Sequence, residues 1–194
     1  MTQNVNKTNS SEVMHNLRLA GNDTERVLAK AGIPRRFWHL SISQINFIPT
    51  PFYGASLSTI AQRHWVNYLV KSTKWNRHRV VVIGSSPTDE GAIALASYIL
   101  ERAARRNCPV MFDDVAHNER TWYDPYPYFF ALQNVTKNIT RERSILVRDA
   151  MRRFYSATTI ICVAGITDPY KFACNHLNVY PDAALRVMDI VTPP

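Results

Sequence analysis

Val80-Val81-Val82-Ile83 is an unbroken apolar run with no polar alternation, and Gly84-Ser85-Ser86-Pro87-Thr88-Asp89-Glu90-Gly91, a turn of small and polar residues, follows at once. Residues 92–106 then read as a helix with a small apolar face of Ile93, Ala94, Ala96, Ser97 and Leu100. Its end carries Glu101, Arg102, Arg105 and Arg106, and arginine there suits the helix dipole. A strand with no polar face must be covered on both sides, which places it inside a parallel sheet with helices on each face. Three further apolar runs repeat the signal: residues 109–112, 128–135 and 158–164, the last two reading as fully buried strands. A helix over 142–155, with Ile145, Leu146, Ala150, Met151 and Phe154 apolar, and a short one over 168–176 fall between or after them. Strands alternating with helices predict an α/β fold, a parallel sheet flanked by helices.

The rest of the chain is read more coarsely. Residues 11–31 read mostly as helix, split near Gly21-Asn22-Asp23, with Asp23 or Thr24 capping the second piece. Ala31-Gly32-Ile33-Pro34 ends it, because glycine suits the position after a helix and proline cannot continue one. Residues 40–51 read as irregular or extended, 57–71 as a helix and 182–187 as a further short helix. A chain of 194 residues fits one domain with a short appendage, divided here into a flexible lead and helical segment over 1–30 and an α/β core over 31–194. No apolar run approaches the roughly 18–20 residues that a membrane span needs. The polar first ten residues lack the apolar stretch of a secretory signal. Cys108, Cys162 and Cys174 are odd in number without C-x-x-C spacing, so they read as free thiols of a reducing cytoplasm. The six histidines show no metal-ligand spacing, and neither a metal nor a cofactor is expected.

The strand, turn and helix around Gly84 are the frame of the phosphate-binding pattern G-x-x-x-x-G-K-[ST]. That loop aims backbone N–H groups, a helix N-terminus and a lysine at an anion. Here the second glycine is Asp89, the lysine is Glu90 and the hydroxyl residue is Gly91. Each change opposes phosphate, since like charges about 4 Å apart cost roughly 1 kcal/mol in water and about 4 kcal/mol near a protein surface.

Other segments fall in a familiar order. Ala31-Gly32-Ile33-Pro34-Arg35-Arg36-Phe37 matches A-G-I-P-x-R-[FY], residues 109–115 follow the loop helix as a second strand, Phe130-Ala131-Leu132-Gln133-Asn134 stands at the Walker B strand, and residues 159–165 stand at the sensor-1 strand. In this order the chain resembles the bacterial helicase-loader family of AAA+ proteins, DnaC and DnaI, and the related transposition ATPase IstB, over roughly residues 31–186. The resemblance implies a P-loop, AAA+-like three-layer core with a short N-terminal helical extension. It also implies a degenerate nucleotide site at Gly84, Asp89, Glu90, Gly91, Gln133 and Asn134. The family holds Mg²⁺ with acidic Walker B residues, where this chain has two neutral amides. The family ends sensor 1 in asparagine, where this chain has Val163-Ala164-Gly165. Three matched losses imply a pseudo-ATPase that uses no nucleotide cofactor. Asp113-Asp114 could serve as a rival Walker B, but it follows Gly84 too soon, and reads better as a solvated strand end or loop cap. Arg186 stands near the family's trans-acting arginine, a vestigial role without nucleotide.

Net charge of +8 favours an anionic partner, nucleic acid by default and an acidic protein surface as the rival. Lys71, Lys74, Arg77 and Arg79 around Trp75 fit contact with DNA, single- or double-stranded, and Arg148 and Arg152 share a face of the basic helix. A solvated loop and a solvated helix face are the plainer readings of the same residues. Arg35, Arg36, Phe37 and Trp38 form a basic–aromatic turn suited to a protein partner. The aromatic stretch of Trp122, Tyr123, Tyr126 and Tyr128 reads as packing first and as a partner surface second. The expected function is therefore a non-catalytic replication accessory protein that binds a replicative helicase or AAA+ partner and DNA, as part of a homo- or hetero-oligomer and away from membranes. A phage, plasmid or mobile-element source would suit it. The alternatives are a structural DNA-binding or assembly module, and an active ATPase whose metal rests on Asp113-Asp114.

Overall fold

The structure, a computed structural model, describes residues 15–16, 20–50, 59–71, 79–86, 90–115, 127–154 and 156–190. Within them the strands β1 (Ile45–Thr50), β2 (Arg79–Ser85), β3 (Val110–Asp114), β4 (Phe129–Thr136), β5 (Thr158–Ala164) and β6 (Ala183–Ile190) form one sheet in the order β1-β6-β2-β5-β4-β3. The helices are α1 (Asp23–Lys30), α2 (Thr59–Lys71), α3 (Glu90–Ala104), α4 (Arg141–Arg153) and α5 (Pro169–Phe172), the last running into a π turn, Ala173–Leu177. All strand pairs are parallel except β1 with β6. No helix among the described residues is long and apolar enough to cross a membrane.

The run at Val80 shows why the pattern had no polar face. Val81 and Ile83 enter a core shared with α1, α2 and α3, while Val80 and Val82 enter a second core with Val147, Ala150 and Met151 of α4 and Phe172 of α5. All four are at most 3% exposed, and each such side chain contributes about 1.5–3 kcal/mol.

The crossovers set the site. From β2 the chain leaves through α3, on one face, to the far edge strand β3. From β4 through α4, and from β5 through α5, it returns on the other face. Opposite directions on opposite faces keep one crossover hand. The adjacent strands β2 and β5 therefore send their exit loops to different faces, the switch point at which α/β sheets open a crevice.

Several expectations are corrected. Residues 182–187 are not a helix: residues 183–190 form β6, seated between β2 and β1. The extended reading of residues 40–51 holds over β1, whose Ile45 and Phe47 enter the core with period two. A short apolar run does not declare its own period, and the open edge of β2 decides it. The third apolar run is not buried throughout, since Gln133 is half-buried and Asn134 exposed. Asp113 and Asp114 are not a solvated strand end, being 3% and 5% exposed within β3. The cap of α1 is neither Asp23 nor Thr24 but Asn22, whose Oδ1 accepts from the Glu25 N–H at 2.9 Å.

The end of α1 follows the sequence closely. Gly32 has φ +81°, its N–H donates to Ala29 O, and the Ile33 N–H donates to Leu28 O, the paired closure that a glycine after a helix permits. Ala31 O then accepts from the Phe112 N–H at 2.7 Å on the outer edge of β3.

Candidate functional site

The three segments that depart from the pattern of the resemblance lie on neighbouring strands. Gly84 lies in register with Val163 of β5 on one side and Arg186 of β6 on the other. β4, with Gln133-Asn134, is the next strand beyond β5. Because these strands are parallel, the turn after β2, the Val163-Ala164-Gly165 end of β5 and the Gln133-Asn134 end of β4 share one edge of the sheet. Asp89 lies outside the described residues.

The crevice between β2 and β5 is filled from within. Ile166 packs over Gly84 so closely that a Cβ on Gly84 would stand 2.9 Å from Ile166 Cγ1. The Ile166 N–H donates to Ser85 O and the Gly165 N–H to Ser86 O, which ties the two exit loops together. Gly91 serves a similar end, since a Cβ there would meet Val187 Cγ1 at 2.9 Å. The first turn of α3 is thus seated directly on β6.

Gln133 and Asn134 form a bulge. Leu132 pairs with Ile161 and Val135 with Val163, so β4 carries one extra residue there, and Asn134 takes φ +61°. The Asn134 amide donates to Asp114 Oδ2 on β3, the side of β4 that faces away from β2. At the place where the resemblance puts acidic metal ligands, an amide is spent on holding the edge strand. Asp113 and Asp114 themselves sit three strand spacings from β2, about 14 Å at about 4.8 Å each. Among the described residues no three His, Cys, Asp or Glu side chains gather as a metal site.

An open cavity of about 650 Å³ remains on the α3 face of this edge. Its walls are Ser85 and Ser86 after β2, Glu90 and Gly91 of α3, residues 187–190 of β6, and the turn of residues 36–40. Sequence reasoning assigned Arg36, Phe37 and Trp38 of that turn, with Arg35, to a partner and Glu90 to a degenerate nucleotide site, and the fold brings the turn and Glu90 together. Arg36 Nη2 lies 3.3 Å from Glu90 Oε1 across the mouth. The Glu90 carboxylate supplies the negative charge that a helix N-terminus favours, and Arg36 supplies its counterion. Among the described residues of this lining, Arg36 is the one arginine or lysine, and it is paired with Glu90.

The other assigned residues are dispersed. Arg35 is exposed, whereas Phe37 is buried in the core beneath the Arg36 guanidinium, 4.8 Å from the ring centre. Trp38 is half-buried and donates from Nε1 to Ile33 O. Arg186 lies inside the sheet between Ile48 and Gly84, not at a helix end. Arg148 and Arg152 lie on α4, on the opposite face of the sheet from the cavity, and Arg152 stands 3.7 Å from Asp149. Lys74, Trp75 and Arg77 lie outside the described residues, as do Trp122, Tyr123 and Tyr126. Lys71 closes α2 and Arg79 opens β2. Tyr128 is 57% exposed.

One group had no sequence signal. His39, at φ +61°, donates its backbone N–H to Glu101 Oε2 at 2.7 Å, and its Nδ1 lies 3.2 Å from Glu101 Oε1. Its Nε2 lies 3.0 Å from Glu25 Oε1. Arg105 binds the same Glu101 oxygen through Nε and Nη2 at 3.0 and 2.7 Å. The Gly21 N–H and the His39 ring together hold the Glu25 carboxyl below its ordinary value of 4.5. This network pins α1 and the residue 36–40 turn to α3, and so fixes one wall of the cavity. No protein-family model matches the chain, and no curated protein matches it.

Proposed function

We propose that this protein is a non-catalytic accessory factor of DNA replication, a degenerate relative of the AAA+ helicase loaders that holds a replicative helicase or AAA+ partner without hydrolysing ATP. The observation that carries the reading is the adjacency of the three altered segments. They lie at the ends of β2, β5 and β4, neighbours on one edge of the sheet. Structural contacts occupy these places: Glu90 pairs with Arg36, Ile166 just after Gly165 fills the crevice, and Asn134 bonds Asp114. A surviving catalytic site would leave such groups free for a ligand. The basic charge of +8 supports DNA as the second partner.

Two measurements test it. Calorimetry with Mg²⁺ and ATP is expected to give no heat of binding, and tight binding refutes the pseudo-ATPase part. Mass measurement of the protein mixed with the replicative helicase of its host is expected to show a complex. Separate elution at low salt refutes the partner.

A further inference from the structure

A second cleft opens on the same face of the sheet, behind the residue 36–40 turn. It holds about 440 Å³ and is bounded by α2, α3 and the Ser41 turn. Among the described residues its charged lining is Arg63 of α2, Arg102 and Arg105 of α3, and one acid, Glu101. Glu101 is 4% exposed, and its oxygens already accept from Arg105 and from the His39 backbone. Arg63 and Arg102 have no ion pair among the described residues. Among the described residues, three arginines against one glutamate leave a surplus of two positive charges lining one half-open cleft.

We infer that this cleft binds a phosphate group, gripped by Arg63 and Arg102 from two different helices, with Arg105 fixed beside them by Glu101. Guanidinium forks pair with the oxygens of a phosphate two at a time, and two forks lining one cleft from separate helices suit the three or more acceptor oxygens that a phosphate has and a carboxylate lacks. Asn67 and Tyr98 line the same space and add neutral polar groups. The volume lies in the range of small-ligand sites, enough for a phosphodiester with part of its sugar. The inference is independent of the helicase-loader reading, because it uses none of the altered nucleotide-site residues.

The test compares the wild-type chain with Arg63→Gln/Arg102→Gln. The probes are sodium pyrophosphate and a single-stranded oligonucleotide, both at constant ionic strength, with thermal shift and fluorescence anisotropy as readouts. Pyrophosphate is expected to raise the wild-type melting temperature, and the double variant to bind it at least about tenfold more weakly. Arg63→Lys, which keeps the charge and loses the fork, is expected to fall between them, and it serves as the variant of record if the double one does not fold. If the oligonucleotide weakens in parallel and its salt slope falls by about 1.4, two contacts at roughly 0.7 each, the natural phosphate belongs to a nucleic-acid strand. If pyrophosphate alone weakens, the site serves a free phosphate compound. Equal binding of both probes by wild type and variant, or an equal thermal shift from sodium sulfate and sodium chloride, overturns the inference.

Discussion

Replacing Glu101 tests whether the residue 36–40 turn is held by one buried carboxylate. Glu101→Ala removes the acceptor of the His39 N–H, both Arg105 bonds and the contact with the His39 ring. Bonds to a charged group contribute about 1.5–3 kcal/mol each, and a stranded N–H costs about 1–3 kcal/mol. Two features reduce the sum. Arg105 is 47% exposed, so water receives its freed guanidinium, and the neighbouring cleft admits water to the gap. The net expectation is a loss of about 2–4 kcal/mol, once the entropy regained by Arg105 and the higher helix propensity of alanine are allowed for. At about 2–4 °C per kcal/mol for a chain of this length, the melting temperature falls by roughly 5–15 °C. Glu101→Gln separates the parts. Its amide oxygen still accepts from the His39 N–H, so it is expected to cost about 1 kcal/mol less than alanine or better. Urea denaturation at neutral pH measures both. An alanine cost under about 1 kcal/mol, or equal costs for both variants, refutes the reasoning, because the left-handed turn at His39 would then stand without its anchor.

Other expectations follow from single contacts. Gly84→Ala drives a methyl into Ile166 and is expected to cost about 1–3 kcal/mol, while Gly84→Ala/Ile166→Ala costs less than the sum of the two single changes in denaturant titrations. Glu90→Lys restores the lysine of the phosphate-loop pattern and breaks an exposed pair with Arg36. Stability is expected to change by less than about 1 kcal/mol. ATP hydrolysis is expected to stay at background in a phosphate-release assay, and turnover in this variant contradicts the pseudo-ATPase reading. The Glu25 carboxyl is held below its ordinary value when folded, so its stabilising effect is complete above pH 4.5 and disappears as pH falls through the depressed value. Glu25→Gln is therefore expected to flatten the acid limb of a stability–pH curve and to leave its slope near neutral pH unchanged.

The interior of the sheet was legible because burial on both faces leaves no choice of residue. Residues 158–164 read as a strand from sequence and are β5 to the residue. β6 was misread because Ala183-Ala184-Leu185 suits either period, and only the vacancy between β1 and β2 selects a strand. β1 was blurred by Pro49, and its pairing shifts at Asn46/Phe47, where β6 carries Met188 as an extra residue. At the candidate site the sign of Glu90 was legible, but its partner Arg36 is distant in sequence, and no local pattern predicts that contact. The Asn134 bulge had an unread clue, since asparagine is poorly suited to strand interiors yet tolerates positive φ. His39 and Glu101 gave no signal, because their pairing depends wholly on where α3 lies against the turn.

The closure after α1 bears on how copies of the chain meet. An edge strand offers unpaired N–H and C=O groups to any other strand in solution. Along β3 the Phe112 N–H is already taken by Ala31 O, and only glycine at position 32 allows that approach, since a Cβ there would stand 2.7 Å from Phe112 O. At the opposite margin β1 carries Pro49, which has no N–H to give. Among the described residues, one flank of the sheet thus carries a backbone plug and the other a strand interrupted by proline. A side chain at position 32 would do more than loosen a helix end. It would unplug a sticky margin, and its first symptom would be turbidity before any loss of helical signal.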